Sequence, residues 1–327
     1  MRRRALFPLL ALLTAIAVLP DAAPAQARRR PPPLEQNPRV MPIPQPRLVA
    51  HEWGVFVLEN GRPVHLEALA AELPPFVQRG PAAALPPRPP ILPGPPPGTV
   101  ARKPVLFLYA DRPIQVQVEV GFVGGEPWLF YPSARRVEPI AGSPSRGLAW
   151  DLSVASINAP GLPPVHPEHF WNDLRAVGAS AVTAADGTTE RFLFYDGPVA
   201  FAPSFLVSFA QGGAAVSPAS TERTIFLVGG DRFVEADVDP ERWTSTQVSM
   251  GDMAALRLRI DQELRRRGLS GPEARSLLET WRDELFSDVR RRAISFVPRE
   301  AYDRMLPITI RPAASELVRV GLVIDRG

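Results

Sequence analysis

Apolar and polar residues alternate strictly through IQVQVEVGF, residues 114–122. Ile114, Val116, Val118, Val120 and Phe122 share one face; Gln115, Gln117, Glu119 and Gly121 share the other. A two-residue period with one polar face predicts a half-solvated antiparallel strand. LAWDLSV (148–154) repeats the pattern with Leu148, Trp150, Leu152 and Val154 inward. KPVLFLYA (103–110) is apolar on both faces, as suits a central strand. ADRP (110–113) predicts a hairpin connection between these first two strands, and Gly124-Gly125 predicts a turn into PWLFYP (127–132), completing a meander. Asp186-Gly187 marks the tip of a hairpin within 178–197. SFLVSFA (204–210) and RTIFLVGG (223–230) continue the series. Strands at this spacing predict an antiparallel sandwich or barrel.

Past residue 245 the apolar period lengthens. Ser249 predicts a helix N-cap with Asp252 at the third position; Met253, Leu256, Ile260 and Leu264 form one face, and Gly268 ends the helix. Ser270 and Glu273 form a capping box for a second helix, whose stripe is Leu277, Leu278, Trp281 and Leu285. The two read as an αα-hairpin. AISFVP (293–298), a helical turn at 299–305, LPITI (306–310) and a last strand, LVRVGLVI (317–324), follow; Val318, Val320, Leu322 and Ile324 share one side of it. That strand is expected to return to the main sheet. The expected fold class is α+β: mainly antiparallel β, sandwich- or barrel-like, with a C-terminal helical hairpin cap and a returning terminal strand.

Upstream, Arg2–Arg4, the apolar run Ala5 to Leu19 and the small-x-small Ala25-Gln26-Ala27 predict a cleaved signal peptide over 1–27. The apolar run falls short of the roughly 20 residues that span a bilayer, so a membrane role is expected only if the signal is retained as an anchor. Residues 28–47 read as a Pro/Arg-rich tether, 48–245 as a β-rich domain, and 246–327 as the helical hairpin plus terminal strands packing on it. The proline-rich segment 79–101 reads as a polyproline-type excursion, either a partner-docking segment or an insertion without function.

Composition narrows the chemistry. There is no cysteine, which excludes disulfides, thiolate zinc sites and thiol catalysis. Lys103 is the single lysine, so Schiff-base chemistry would rest on it alone. The pI near 9.8 reflects arginine rather than a large charge: the formal charge is +3, and losing the predicted signal, with three Arg and one Asp, leaves +1. No basic stripe marks a nucleic-acid partner. Arg265–Arg267 and Arg290–Arg292 read as solvated faces or carboxylate partners.

Histidine is limited to His51, His65, His166 and His169. No His-Glu-x-x-His helix, nucleophile elbow, phosphate loop or dinucleotide fingerprint is present. In VAHEWGVFVLENG (49–61), His51, Glu52 and Trp53 are binding candidates. Strand alternation puts His51 with Trp53 and Glu52 on the opposite face, so His and Glu converge only if a bulge intervenes, for which Gly54 is the place. Without one, His51 reads as a hydrogen-bonded core histidine, with Glu52 satisfied by an arginine. In PPVHPEHFWNDL (163–174), His166, Glu168 and His169 are metal candidates, since helical positions three apart share a face. Pro167 predicts the helix start, with Phe170, Trp171 and Leu174 packing inward. No cofactor is expected, a divalent metal at this segment being the one candidate. Trp128, Tyr131 and Tyr195 are of the type that stacks on sugars, but read first as ordinary strand-core aromatics.

HEWGVF, KPVLFLYADR, ERFLFYDG, EARSLLETWRDELF and RMLPITIRPAASELVRVGLV, in that order, resemble a family of uncharacterised exported bacterial proteins with a His-Glu-Trp-Gly-Thr-Phe motif just after the signal region. Val55 stands where the family motif has threonine, and the 79–101 segment is unusual for it. The resemblance spans most of the mature chain. It implies export and a shared fold; the family carries no established activity, so no catalytic residues follow. The expected function is thus that of an exported, periplasmic or extracellular protein, a non-catalytic binding or assembly domain with an envelope protein or a glycan as partner. The alternative is an envelope hydrolase, metal-assisted or not, using His51 and the 166–169 segment.

Overall fold

The computed structural model describes residues 46–59, 62–63, 73–80, 99–137, 146–155, 161–210, 213–239, 241–242, 244–287 and 290–327. The predicted signal, the tether up to residue 45, residues 81–98 of the proline-rich segment and His65 lie outside them. Strands β1 (Leu48–Glu59), β2 (Arg62–Pro63), β3 (Gln78–Arg79), β4 (Thr99–Ala110), β5 (Ile114–Phe122), β6 (Leu129–Tyr131), β7 (Arg135–Val137) and β8 (Arg146–Ala155) precede the short helix α1 (Trp171–Arg175). Next come β9 (Ala181–Ala184), β10 (Thr189–Glu190), β11 (Leu193–Val199), β12 (Phe205–Ala210), β13 (Gly213–Pro218), β14 (Thr224–Gly229), β15 (Arg232–Asp239) and β16 (Thr244–Asp252). Helices α2 (Met253–Arg266), α3 (Gly271–Thr280) and α4 (Arg282–Phe286) follow, then β17 (Arg292–Val297), α5 (Arg299–Met305), β18 (Ile308–Arg311) and β19 (Glu316–Arg326).

The fold is α+β and β-rich, as the periodicity predicts. A large sheet runs β16-β15-β14-β17-β19-β1-β4-β11-β6-β3, with β2 on β1; a second runs β10-β9-β8-β5-β18, with β7 on β8; β12 and β13 form a separate hairpin. The last strand does return to the main sheet, and lies parallel to β1 with His51 beside Val318 and Glu52 beside Arg319. The other pairings described are antiparallel.

Period-two alternation in β1 decides the layers. Trp53, Val55 and Val57 join Leu256, Ile260, Leu277, Leu278 and Trp281 of the helices in one core. Ala50, Phe56 and Leu58 join Val116, Val118, Trp150 and Leu152 of the second sheet in another. The large sheet is thus sandwiched: helices cover one face and the second sheet the other, with the β12–β13 hairpin packing on Ile225, Val238 and Ala293. Because both faces are covered, Trp53 and Phe56 are fully buried although they point to opposite sides of β1, each burial contributing about 1.5–3 kcal/mol.

Four local expectations change. Residues 110–113 do not close a hairpin, since β4 belongs to the large sheet and β5 to the second; the turn is a corner between layers. The 124–128 connection likewise leads from the second sheet back to β6 in the first, so there is no meander. The cap of α2 is Asp252, whose carboxylate accepts from the Ala255 N–H at 2.9 Å, because β16 stays paired with β15 through Ser249 to Asp252. Helix α1 starts at Trp171 rather than Pro167. The Ser270–Glu273 capping box is present as read, and Gly268 follows α2 at φ +105°, a conformation that favours glycine.

β4 carries a bulge. Trp53 faces Val105 but Val55 faces Arg102, which leaves one extra β4 residue around Lys103-Pro104. Proline lacks the N–H that a central ladder needs, and a bulge is where it is tolerated. Opposite it, Gly54 lets the Tyr302 hydroxyl approach the strand: a Cβ there would stand 2.7 Å from that oxygen.

Candidate functional site

The two residues of the His51-Glu52 pair serve separate clusters on opposite faces of β1, and the bulge beside Gly54 does not bring them together. On the helical side, the His51 Nδ1 lies 2.9 and 3.0 Å from the two carboxylate oxygens of Glu273. An ionised carboxylate only accepts, so Nδ1 carries the proton and donates. The Tyr109 hydroxyl also donates to Glu273, as does the Ser270 backbone N–H at 2.6 Å. Glu273 therefore does two jobs: it completes the capping box of α3, and it ties that helix to β1 and β4. His51 Nε2 is buried without a hydrogen-bond partner, 4.0 Å from Glu316 Oε1.

Burial alone would raise the Glu273 carboxyl. Hydrogen bonds from His51 and Tyr109, the His51 charge and the Ser270 N–H outweigh it and hold the group below its ordinary range. Burial, with the neighbouring Glu273 charge, pushes the Tyr109 phenol upward, so Tyr109 remains a donor. The depressed Glu273 value stabilises the fold above the ordinary carboxylate range, near pH 4, and this contribution is lost as pH falls through the lower folded value. Urea titrations between about pH 7 and 3 should show the stability gap between wild type and Glu273→Gln closing on acidification. A pH-independent gap would rule the linkage out.

On the other face Glu52 is fully buried. Its Oε1 accepts from the hydroxyls of Tyr195 and Tyr302, the latter at 2.8 Å, and its Oε2 accepts from Arg319 Nε at 2.6 Å. Arg319 reaches on to Asp303 at 2.7 Å and lies 4.5 Å from the centre of the Tyr302 ring. Burial opposes the guanidinium charge, but the Glu52 charge and hydrogen bond prevail and raise its pKa. Both phenols are pushed well up by burial first and the Glu52 charge second. The expected arginine partner of Glu52 is thus Arg319, its cross-strand neighbour.

The 166–169 segment stands apart from both clusters in its hydrogen bonding. His166 Nδ1 accepts the Glu168 N–H at 3.3 Å, and His169 Nδ1 accepts the Trp171 N–H at 3.0 Å. These are turn-forming bonds ahead of α1, and they commit one nitrogen of each ring. Among the described residues no group of three or more His, Asp or Glu side chains is placed to hold a metal ion. Trp53, Tyr195 and Tyr131 are core residues rather than surface platforms. Phe170 packs half-buried against the helical core that holds Trp171 and Leu174.

Sequence reasoning missed Tyr109, Tyr302 and Arg319, named Tyr195 only as an aromatic, and saw Glu273 only as a cap. It also missed Glu190, which is fully buried and accepts from Arg175 at 2.7 Å and from the Trp171 indole at 2.8 Å. One signal was readable: Arg319 shares a strand face with Leu317, Gly321 and Val323, where a charge needs a buried partner.

Chemically, the Glu273–His51 pair is the oriented-base half of an acid–base constellation. Among the described residues no nucleophile hydrogen-bonds Nε2, and the atom is closed to solvent. The Glu52 cluster is sealed between layers. No helix among the described residues is long and apolar enough to cross a membrane. Comparison with known proteins finds no matching family, no matching curated protein and no matching solved structure.

Proposed function

We propose that the chain is an exported, non-catalytic binding or assembly protein of the cell envelope, acting on an envelope protein or a glycan. The observation that carries this reading is β16, a nine-residue strand at the end of the large sheet, exposed along most of its length and, among the described residues, paired on one side by β15 alone. An open edge is a standing offer of backbone hydrogen bonds to another strand. By contrast, His51 and Glu52 are engaged by partners from other elements, and His166 and His169 accept local turn bonds. Export rests on the Arg2–Arg4 and Ala5 to Leu19 pattern and on the resemblance of HEWGVF to the exported family. Fractionation followed by sedimentation of the envelope extract tests the reading: the protein is expected in a species heavier than its own 35.8 kDa. A free monomer in the cytoplasm would overturn it.

One observation favours a second reading, an envelope hydrolase: the His51 ring is oriented by a carboxylate at Nδ1 and has an unpartnered Nε2. Turnover of chromogenic esters or amides by the purified protein, abolished in His51→Gln, would replace the first reading with this one. So would a stoichiometric metal lost in His51→Ala.

A further inference from the structure

We infer that β16 is a self-association edge, pairing antiparallel with the β16 of a second copy of this chain across a two-fold axis at Gln247. The inference rests on the binding-or-assembly reading and names its partner.

Edges of large sheets are usually blunted by shortness, charge or proline. The opposite end of the large sheet is β3, of two residues. The second sheet ends in β10, of two, and β18, of four. β16 has nine residues, and from Thr244 to Gly251 it contains neither a charge nor a proline. Val248 and Met250 stand 54% and 57% exposed on it. A bulge at Val248, where Glu235 faces Ser249 and Ala236 faces Gln247, is the one blunting device there.

Charge selects a second copy over other strands. Arg242 precedes β16 and Asp252 ends it, both exposed. An antiparallel pair centred on Gln247 sets Thr246 against Val248, Ser245 against Ser249 and Thr244 against Met250. It also brings Arg242 of each copy to Asp252 of the other, on both sides of the axis. Parallel alignment would put like charge beside like charge at each end. The uncharged middle creates no repulsion against itself, and the two-fold closes the interface, so one dimer forms rather than a fibre.

The chain has no cysteine, so single cysteines report on proximity directly. Residues facing each other across antiparallel strands have Cα atoms about 4.5–5.5 Å apart, within disulfide reach. Gln247→Cys should cross-link into a dimer under mild oxidation at least about tenfold faster than Leu206→Cys, an exposed position on β12, because pairing raises the effective concentration. Sedimentation equilibrium should show a wild-type dimer that Gln247→Lys weakens roughly five- to tenfold by opposing like charges at the axis. Equal cross-linking of the two cysteines, or a wild-type monomer at every concentration, overturns the inference and shows that the bulge suffices as a block. A monomer that still sediments in a heavier species in envelope extract overturns self-pairing and leaves the binding reading standing with another partner. A monomer in both settings overturns both.

Discussion

Arg319→Met should destabilise the fold by about 3–5 kcal/mol, the usual effect of stripping one partner from a buried ion pair. The Arg319 and Glu52 side chains are both fully buried, with Nε 2.6 Å from Oε2. Without the guanidinium, Glu52 stays ionised between two covered faces of a sheet or takes up a proton at a cost; either way the loss appears in the urea midpoint. The informative variant is the double one. Adding Glu52→Gln removes the orphaned charge while an amide oxygen still accepts from Tyr195 and Tyr302, which now bond to Oε1. Arg319→Met with Glu52→Gln is therefore expected to be more stable than Arg319→Met alone. If the second substitution costs a further increment instead, the charge is not what makes the single variant unstable, and the lost packing of Arg319 on the Tyr302 ring is.

Gly54→Ala should cost about 1–3 kcal/mol, the range for forcing an atom into a filled core. The new Cβ would lie 2.7 Å from the Tyr302 hydroxyl and 3.4 Å from Pro104 Cγ. Tyr302 has no room to retreat, being fully buried against Phe56, which lies edge-on at 5.8 Å. The methyl group therefore displaces the hydroxyl from Glu52 or pushes β1 away from the bulge. Tyr302→Phe removes the atom that Cβ meets, so in that background Gly54→Ala should cost clearly less. A thermal-melt double-mutant cycle over Gly54 and Tyr302 should give a coupling of at least about 0.5 kcal/mol. Strict additivity would mean that Gly54 is required for the bulge and not for the hydroxyl.

How much of this was legible depended on range. Alternation is a local property, so the inward faces of β5 and β8, and the separation of His51 from Glu52, could be read directly from residues 49–61, 114–122 and 148–154. So could the Ser270–Glu273 box, which spans a single turn. Sheet membership is not local. The turn residues at 110–113 look the same whether the chain folds back or crosses to the next layer, and the outcome is decided by which strands arrive later. The Arg319 partner of Glu52 is 267 positions away in sequence, and the Glu273 partner of His51 is 222. Nothing near residue 51 encodes either. The Ser249 cap failed for a related reason: Ser and Asp both cap well, and only the β15 pairing decides that the strand runs on to Asp252. The 166–169 histidines satisfied a helical spacing on a segment that forms a turn.

The parallel pairing of β1 with β19 has a consequence for the order of synthesis. β1 is among the first strands made and β19 is the last, yet they lie side by side, joined by Glu52 and Arg319. Until residues 316–326 have emerged, one edge of β1 is open and a buried carboxylate lacks its counter-ion. The incomplete chain is therefore held short of its final state, since non-local pairings must form before the fold locks. Such a delay suits the export proposed above, in which the chain crosses the membrane before it folds. In this chain the delay is written into the topology, at the same glutamate that follows the first histidine of the fold.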